Sequence, residues 1–383
     1  MDVTRLRERD VLMAESRPLR IVHSEAATSM GGQENRIFKE MVAMREQGHH
    51  LEAICQPDAQ LTPRLRDAGF TVHAMPMDGW INLVKGAWKI RNILRTSRID
   101  VLNTHSRRDT LVAGLGARLA GTPLIVRTRH LSNRVGSLLS YTWIPHRITT
   151  VSHYVRQHLI DRGVPAEHVK TIYSPVVVPE RVDHSTLRQE LGLAESDVVV
   201  GCVAVMRPSK GHRLLVDAMQ ILMADRPNLH LVLIGSGSPV FQQVQARVKQ
   251  IGLSDRIHLL GTRQDVPNLL SGCDLFALPT QQEASGTVFV EAAACGLPVV
   301  ATDVGGVSEM MRAGQTGFLV PAKDADALRQ TLARLIDDPE LRVKMGRAGY
   351  DMVWKEEVFT THTLARETES TYRSWLTTRL KQQ

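Results

Sequence analysis

The chain has 383 residues, 43% apolar and 23% charged, with a formal net charge of +7. That length points to two domains, and the mix excludes a disordered chain or a small disulfide scaffold. The charge is uneven: residues 1–185 hold 26 Lys and Arg against 18 Asp and Glu, whereas residues 186–383 hold 21 against 22. An anionic partner is therefore expected on the N-terminal half.

The first 17 residues read as a flexible polar extension without the apolar core of a signal peptide, and Met13 is a second candidate start. Regular structure begins with a strand at Leu19–Val22, a turn carrying Gly31 and Gly32, and a helix over Glu34–Gln47, where Ile37, Met41 and Met44 keep helical spacing. Further strands are predicted at Leu51–Cys55, Thr71–Ala74, Val101–Asn103, Leu124–Thr128 and Ile148–Ser152. The pattern breaks near Tyr173–Ser185 and resumes with strands at Val198–Val205, Leu229–Ile234, Ile257–Leu260, Leu275–Leu278 and Pro298–Thr302, before a helical tail at Glu357–Leu380. Alternation of this kind defines an α/β fold: two Rossmann-like, doubly wound parallel-sheet domains facing a central cleft. The expected division is 1–17 extension, 18–180 N-terminal Rossmann-like domain, 181–360 C-terminal Rossmann-like domain, and 361–383 a helix packing back toward the first domain; the resemblance given below implies acceptor binding by the first domain and nucleotide-sugar binding by the second.

No run approaches the ~18 apolar residues of a membrane-spanning helix. Cys55, Cys202, Cys273 and Cys295 share no metal-ligand spacing and read as buried thiols in a reducing cytoplasm. Residues 80–98 carry Lys85, Lys89, Arg91, Arg95 and Arg98 and no acid. Ile81, Val84 and Trp88 share one helix face; Leu83, Ala87, Ile90 and Leu94 share another. One stripe can pack on the sheet while the other meets an anionic bilayer, at the inner face of the membrane; an ordinary surface helix is the alternative.

The segment Leu278–Val307 carries most of the chemistry. A helix is predicted from Gly286–Thr287 to Cys295, ended by Gly296 and Pro298. Its N-terminus offers unpaired N–H groups, an anion site. Glu283 and Glu291 are eight residues apart, about 12 Å if helical, which disfavours a glycosidase carboxylate pair and suits two glutamates holding different parts of one ligand. Solvated helix charges are the plain alternative. Asp324-Ala325-Asp326 has the look of a metal-binding pair, but N-capping accounts for Asp324 more simply; no catalytic metal and no cofactor are expected.

This segment resembles the retaining glycosyltransferases of family 4, which have the GT-B fold. The resemblance rests on Glu283, Glu291 and the run Cys295-Gly296-Leu297-Pro298-Val299-Val300-Ala301-Thr302-Asp303-Val304-Gly305-Gly306. Gly31-Gly32-Gln33-Glu34, His105, Lys210-Gly211 and Gly261-Thr262-Arg263 with Asp265 extend it over nearly the whole chain. It implies metal-independent transfer from a nucleotide-sugar, a UDP-sugar ahead of GDP- or ADP-sugars, to an anionic glycan or lipid-linked acceptor of lipopolysaccharide type. Glu291 would hold the ribose, Glu283 the donor sugar, the Gly286 and Thr287 amides the diphosphate or sugar, and Lys210 the diphosphate. Arg263 would lie near the base, Gly31 and Gly32 at a phosphate, and His105 by the donor sugar and acceptor.

The family's usual arginine position falls on Val205, and Arg207 on the same loop is expected to supply that charge. Ala284-Ser285-Gly286 replaces an aromatic-containing stretch, so the donor sugar does not carry over. Arg107, Arg129 and His130, with Arg108 and Arg134, are read as a rim for an anionic acceptor; core histidines and solvated arginines are the alternatives. A nucleotide-sugar epimerase is the runner-up. A nucleic-acid-binding module is disfavoured because aromatics total 4% and do not interleave with the basic residues.

Overall fold

The computed structural model describes residues 17–177 and 184–382. Of the expected extension only Arg17 falls among them, and it is held: it pairs with Asp100 at 2.5 Å, and its carbonyl accepts from Arg373 at 3.0 Å. Met13 and the stretch around Pro179 lie outside the described residues. The chain forms two compact units, one running to Pro175 and resuming at Thr361, the other Val176–Thr360. The division thus falls a few residues before position 180.

In the first unit the strands are β1 (Arg20–Glu25), β2 (His50–Cys55), β3 (Thr71–Ala74), β4 (Val101–Thr104), β5 (Leu124–Arg129), β6 (Arg147–Thr150) and β7 (Val169–Thr171). They pair in parallel in the order β3-β2-β1-β4-β5-β6-β7. Successive β1 side chains feed opposite layers, as strand geometry requires. Ile21 joins Ile37, Met41 and Met44 of the helix Gly32–Glu46, together with Ala365, Tyr372 and Leu376 of the C-terminal helix Thr361–Gln382. Val22 joins Ile90 and Leu94 of the helix Gly79–Thr96 and Val112 and Ala117 of the helix Arg107–Ala120. The helix Gly79–Thr96 separates its two stripes: Ala87, Ile90 and Leu94 are buried, while Trp80, Ile81, Val84 and Trp88 are exposed, Trp80 at 85%.

The second unit holds β8 (Val198–Val203), β9 (Leu229–Ile234), β10 (Ile257–Gly261), β11 (Leu275–Leu278), β12 (Val299–Thr302) and β13 (Gly317–Val320), parallel in the order β10-β9-β8-β11-β12-β13. β7 and β13, edge strands of three and four residues, are not placed by the sequence reading. Strand order reverses between β1 and β4 and again between β8 and β11. In doubly wound sheets ligands bind at such switch points, beyond the carboxyl ends of the strands.

All four cysteines are free and buried. Among the described residues no helix is long and apolar enough to cross a membrane. Asp324 caps its helix, accepting from the Ala327 amide at 2.9 Å.

Candidate functional site

At the β1/β4 switch point three histidines converge. His23 lies in β1, His105 directly follows β4, and His130 directly follows β5. His23 Nδ1 meets His105 Nε2 at 2.9 Å, and His105 Nδ1 meets His130 Nε2 at 2.9 Å. All three are buried. Burial lowers the pKa of His23 and drives those of His105 and His130 well below the ordinary range, with neighbouring histidines and Arg36 adding to the effect on the latter two. The rings are neutral at physiological pH. His105, expected to meet the substrate, has both ring nitrogens engaged by its neighbours. Its side chain links the other two rings.

Asp109 fixes the backbone here. Its carboxylate accepts from the His105 amide at 2.7 Å, the Ser106 amide at 2.7 Å, the Ser106 hydroxyl at 2.5 Å and the Ser24 hydroxyl at 2.9 Å. Ser106 and Asp109 form a capping box that starts the helix Arg107–Ala120. Glu25, at the end of β1, is also buried and accepts from the Ala27 amide at 2.8 Å, with the Gln33 amide on its other oxygen. Burial, with the charge of Asp109 second, pushes its carboxyl up to about 8. Sequence reasoning missed Glu25, His23 and Asp109. Only Asp109 carried a signal, the S-x-x-D spacing before a helix.

Gly31 caps the helix Gly32–Glu46 in an extended conformation, so its conformation does not demand glycine. The Glu34 carboxylate accepts from the Gly31 amide and its own, so the chain's own acid partly occupies the helix start. A Cβ on Gly32 would point into open space. Arg107 is exposed. Arg129 is not part of an exposed rim: it is buried, and its guanidinium donates to the Tyr141 hydroxyl and to Asn133, the side-chain oxygen at 2.9 Å. The Tyr141 ring and the Asn133 oxygens draw it inward as a tie for the loop after β5.

At the β8/β11 switch point Lys210 pairs with Glu283. Each sits on a loop that the other helps hold. The Ser209 carbonyl accepts from the Gln281 amide at 2.6 Å and the Thr280 hydroxyl at 3.2 Å. Gly211 has φ +73°, and a Cβ there would run into the Pro279 carbonyl. The Glu283 carbonyl accepts from the Gly306 amide at 3.3 Å. Gly305, at φ +57°, lies so close to that carbonyl that a Cβ would overlap it.

The helix Thr287–Ala294 begins at Gly286, which provides no side-chain cap, so its first amides stay available. Glu291 lies on this helix, half-buried. Glu283 lies before it, so the 12 Å helical rise does not describe the spacing of the two glutamates. Arg207 is exposed and opens the turn Pro208–Lys210. Arg263 is already committed: Asp265 takes it in a bidentate pair at 2.8 Å, and Glu190 accepts at 3.0 Å. Those hydrogen bonds raise its pKa and hold Asp265 low. Gly235 and Gly237, after β9, were also missed; their Cα atoms abut the Ala204 and Met206 carbonyls of the Lys210 loop. A G-x-G directly after a predicted strand is the signal that would have found them.

Two doubly wound parallel-sheet units, the second carrying a lysine-glutamate pair beside an open helix start, define the GT-B class of sugar transferases. Comparison with known proteins agrees. Residues 30–178 match the model described as Glycosyltransferase Family 4, and residues 183–352 the model described as Glycosyl transferases group 1. The UDP-Gal:alpha-D-GlcNAc-diphosphoundecaprenol alpha-1,3-galactosyltransferase of Escherichia coli is 24% identical over 350 residues, 85% of this chain and 90% of that one. The N-acetyl-alpha-D-glucosaminyl L-malate synthase of Bacillus anthracis is 27% identical over 288 residues, 70% of this chain and 74% of that one. The crystal structure of a glycosyltransferase from Rickettsia africae superposes with a TM-score of 0.84 at 21% identity, covering 94% of this chain and 99% of that one. The chain belongs to glycosyltransferase family 4.

Proposed function

We propose that this glycosyltransferase moves a sugar from a nucleoside diphosphate sugar, with retention and without a metal, to an anionic or lipid-linked acceptor of the cell envelope. The observation that carries the reading is the Lys210–Glu283 pair at the β8/β11 switch point, with the uncapped start of the helix Thr287–Ala294 following on the same loop. When the glycosidic bond breaks, negative charge builds on the leaving diphosphate. A fixed ammonium and helix amides aimed at that charge lower the barrier without a metal ion.

In this reading the diphosphate draws Lys210 from Glu283, which is released to bind hydroxyls of the donor sugar, and Glu291 holds the ribose. Arg207 adds charge from the same loop. Arg263 can reach a base only by leaving Asp265 and Glu190. The name of the Escherichia coli relative carries a UDP-sugar and a lipid diphosphate acceptor, which supports UDP and a lipid-borne acceptor here. The +8 excess of residues 1–185 suits an anionic acceptor. The exposed stripe Trp80, Ile81, Val84 and Trp88, among basic residues, suits contact with the membrane that bears such a lipid.

The test is thermal shift and donor hydrolysis across UDP-, GDP- and ADP-sugars for wild type and Glu291→Ala. A ligand at 100 times its Kd stabilises by about 2.7 kcal/mol. Stabilisation by one nucleotide class, lost in the variant, is expected. If no nucleotide-sugar stabilises the wild type, the donor reading falls.

A further inference from the structure

We propose that Arg118, Arg147 and Arg379, together with the His146 imidazole, form an anion site that takes a phosphate group. The site lies in the first unit, at the amino ends of β5 and β6. The six residues of β5, about 20 Å of strand, separate it from His130. It does not rest on the glycosyl-transfer reading.

Three elements bring the arginines together. Arg118 stands in the last turn of the helix Arg107–Ala120, Arg147 opens β6, and Arg379 lies in the last turn of the C-terminal helix. Each guanidinium is tied to one of two short loops. Arg118 donates to the Trp143 carbonyl at 2.5 Å and to the Ile144 carbonyl at 2.9 Å. Arg147 donates to the His146 carbonyl at 2.8 Å, and Arg379 to the Pro123 carbonyl at 2.8 Å. The two loops are joined in turn. The His146 amide donates to the Ile125 carbonyl at 2.7 Å, and the Ile125 amide donates to His146 Nδ1 at 3.1 Å.

All of these acceptors are neutral. Among the described residues no carboxylate pairs with any of the three arginines. Asp100, whose carbonyl accepts the Leu124 amide at 3.0 Å, has its carboxylate taken by Arg17 and by the Arg20 amide at 2.8 Å. Glu369, on the helix that carries Arg379, is taken by Arg373 at 2.8 Å. Burial, and behind it the charges of Arg379, Arg118 and Arg147, hold His146 down to about 3. Arg118 and Arg147 also act on Arg379, again behind burial. Cations gathered on carbonyls alone repel one another. Partly buried charge of one sign calls for a counter-charge.

The remaining donors suit a phosphate. Arg147 Nε is sealed from solvent and has no hydrogen-bond partner. Arg118 Nη1, Arg147 Nη2 and both Nη nitrogens of Arg379 have no acceptor among the described residues. His146 Nδ1 accepts a backbone N–H, so the neutral ring carries its proton on Nε2 and is a donor too. Guanidinium forks match phosphate oxygens in pairs, and those oxygens outnumber a carboxylate's, so several arginines can share one group. Trp143 and Leu119, both exposed, adjoin Arg118. The phosphate can therefore be free or carried at the head of a lipid.

Melting of the full chain in inorganic pyrophosphate, against chloride of equal ionic strength, tests the site. The double variant Arg147→Gln with Arg379→Gln is compared with Arg66→Gln with Arg162→Gln, which removes the same charge from exposed arginines of the same unit. Any pyrophosphate held by the Lys210 loop contributes equally to wild type and both variants and cancels. Part of the pyrophosphate shift should disappear in the first variant alone, with affinity at the cluster weakened about tenfold or more for each guanidinium removed. That result assigns a free phosphate. If pyrophosphate does not separate the two variants, co-sedimentation with phosphatidylglycerol vesicles decides, and loss of binding in the first variant alone assigns the phosphate to a lipid head. Equal behaviour of the two variants in both assays overturns the site and leaves three loop ties. Should the first double variant fail to fold, Arg379→Gln, which gives up a single carbonyl bond, is set against Arg162→Gln in the same two assays.

Discussion

Glu25→Gln should make the protein more stable at neutral pH and leave it nearly unchanged in mild acid. The native Glu25 carboxyl is buried beside Asp109, and it keeps its proton up to about 8 against an ordinary value of 4.5. Between those values the native state binds a proton that the unfolded chain releases. Stability from this group is complete below 4.5 and is lost as pH rises toward 8. Each pH unit in that window costs about 1.4 kcal/mol, so pH 5 to pH 7 costs about 2–3 kcal/mol. Asp109, also raised by burial, acts in the same direction. Glutamine keeps the shape and the bond from the Ala27 amide and does not titrate. The stability gap between variant and wild type should therefore widen by about 2–3 kcal/mol over that range. Urea unfolding followed by tryptophan fluorescence reads it, since Trp80, Trp88, Trp143 and Trp375 belong to this unit and Trp354 to the other. The buried histidines make both proteins more stable as pH rises toward 6.5, and that contribution cancels in the difference. A gap that stays constant, or narrows with pH, refutes the assignment.

Gly305→Ala should cost about 1–2 kcal/mol from its left-handed backbone alone, and the new Cβ must also displace the Glu283 carbonyl. Donor hydrolysis should collapse while the fold survives, which circular dichroism and a donor titration will separate; unchanged donor affinity would show that the Glu283 loop does not bind the donor. The double variant Trp80→Ser with Trp88→Ser should lose binding to anionic phospholipid vesicles in co-sedimentation and keep its melting temperature, because both rings are exposed. Equal binding by the variant would remove the membrane role of this helix.

The alternating architecture was legible because most buried strands are short apolar runs and the longer helices carry an apolar stripe. Ile37, Met41 and Met44 were placed on one face by their spacing, and they do pack together, with Ile21 of the first predicted strand. The helix after Gly286 was legible because its stop signals, Gly296 and Pro298, are local. β7 and β13 were not, because pairing with a neighbour makes them strands and no internal pattern does. Arg129 was misread for a related reason. An arginine's composition says surface, yet Tyr141 and Asn133, brought close only by the fold, give it enough partners to be buried.

The two switch points differ in how they are built, and this bears on how each shows in the sequence. In the second unit the site is shaped mostly by backbone. Gly211, Gly305 and the uncapped Gly286 are each required by a close approach or an open helix start, and such demands appear in sequence as fixed residues at fixed spacing. In the first unit the site is a network of side chains: His23, His105 and His130, with Glu25 and Asp109 next to them. Its three histidines lie in or just after three strands, each more than twenty residues from the next, and their protonation states depend on burial, which no local window records. A backbone cradle suits a ligand part that stays the same, such as a diphosphate. A buried side-chain network suits a part that varies, because one substitution can change which donor or acceptor it presents. Glycine motifs should therefore carry the family resemblance in the second unit, and identity in the first unit should reside in residues that only the folded chain brings together.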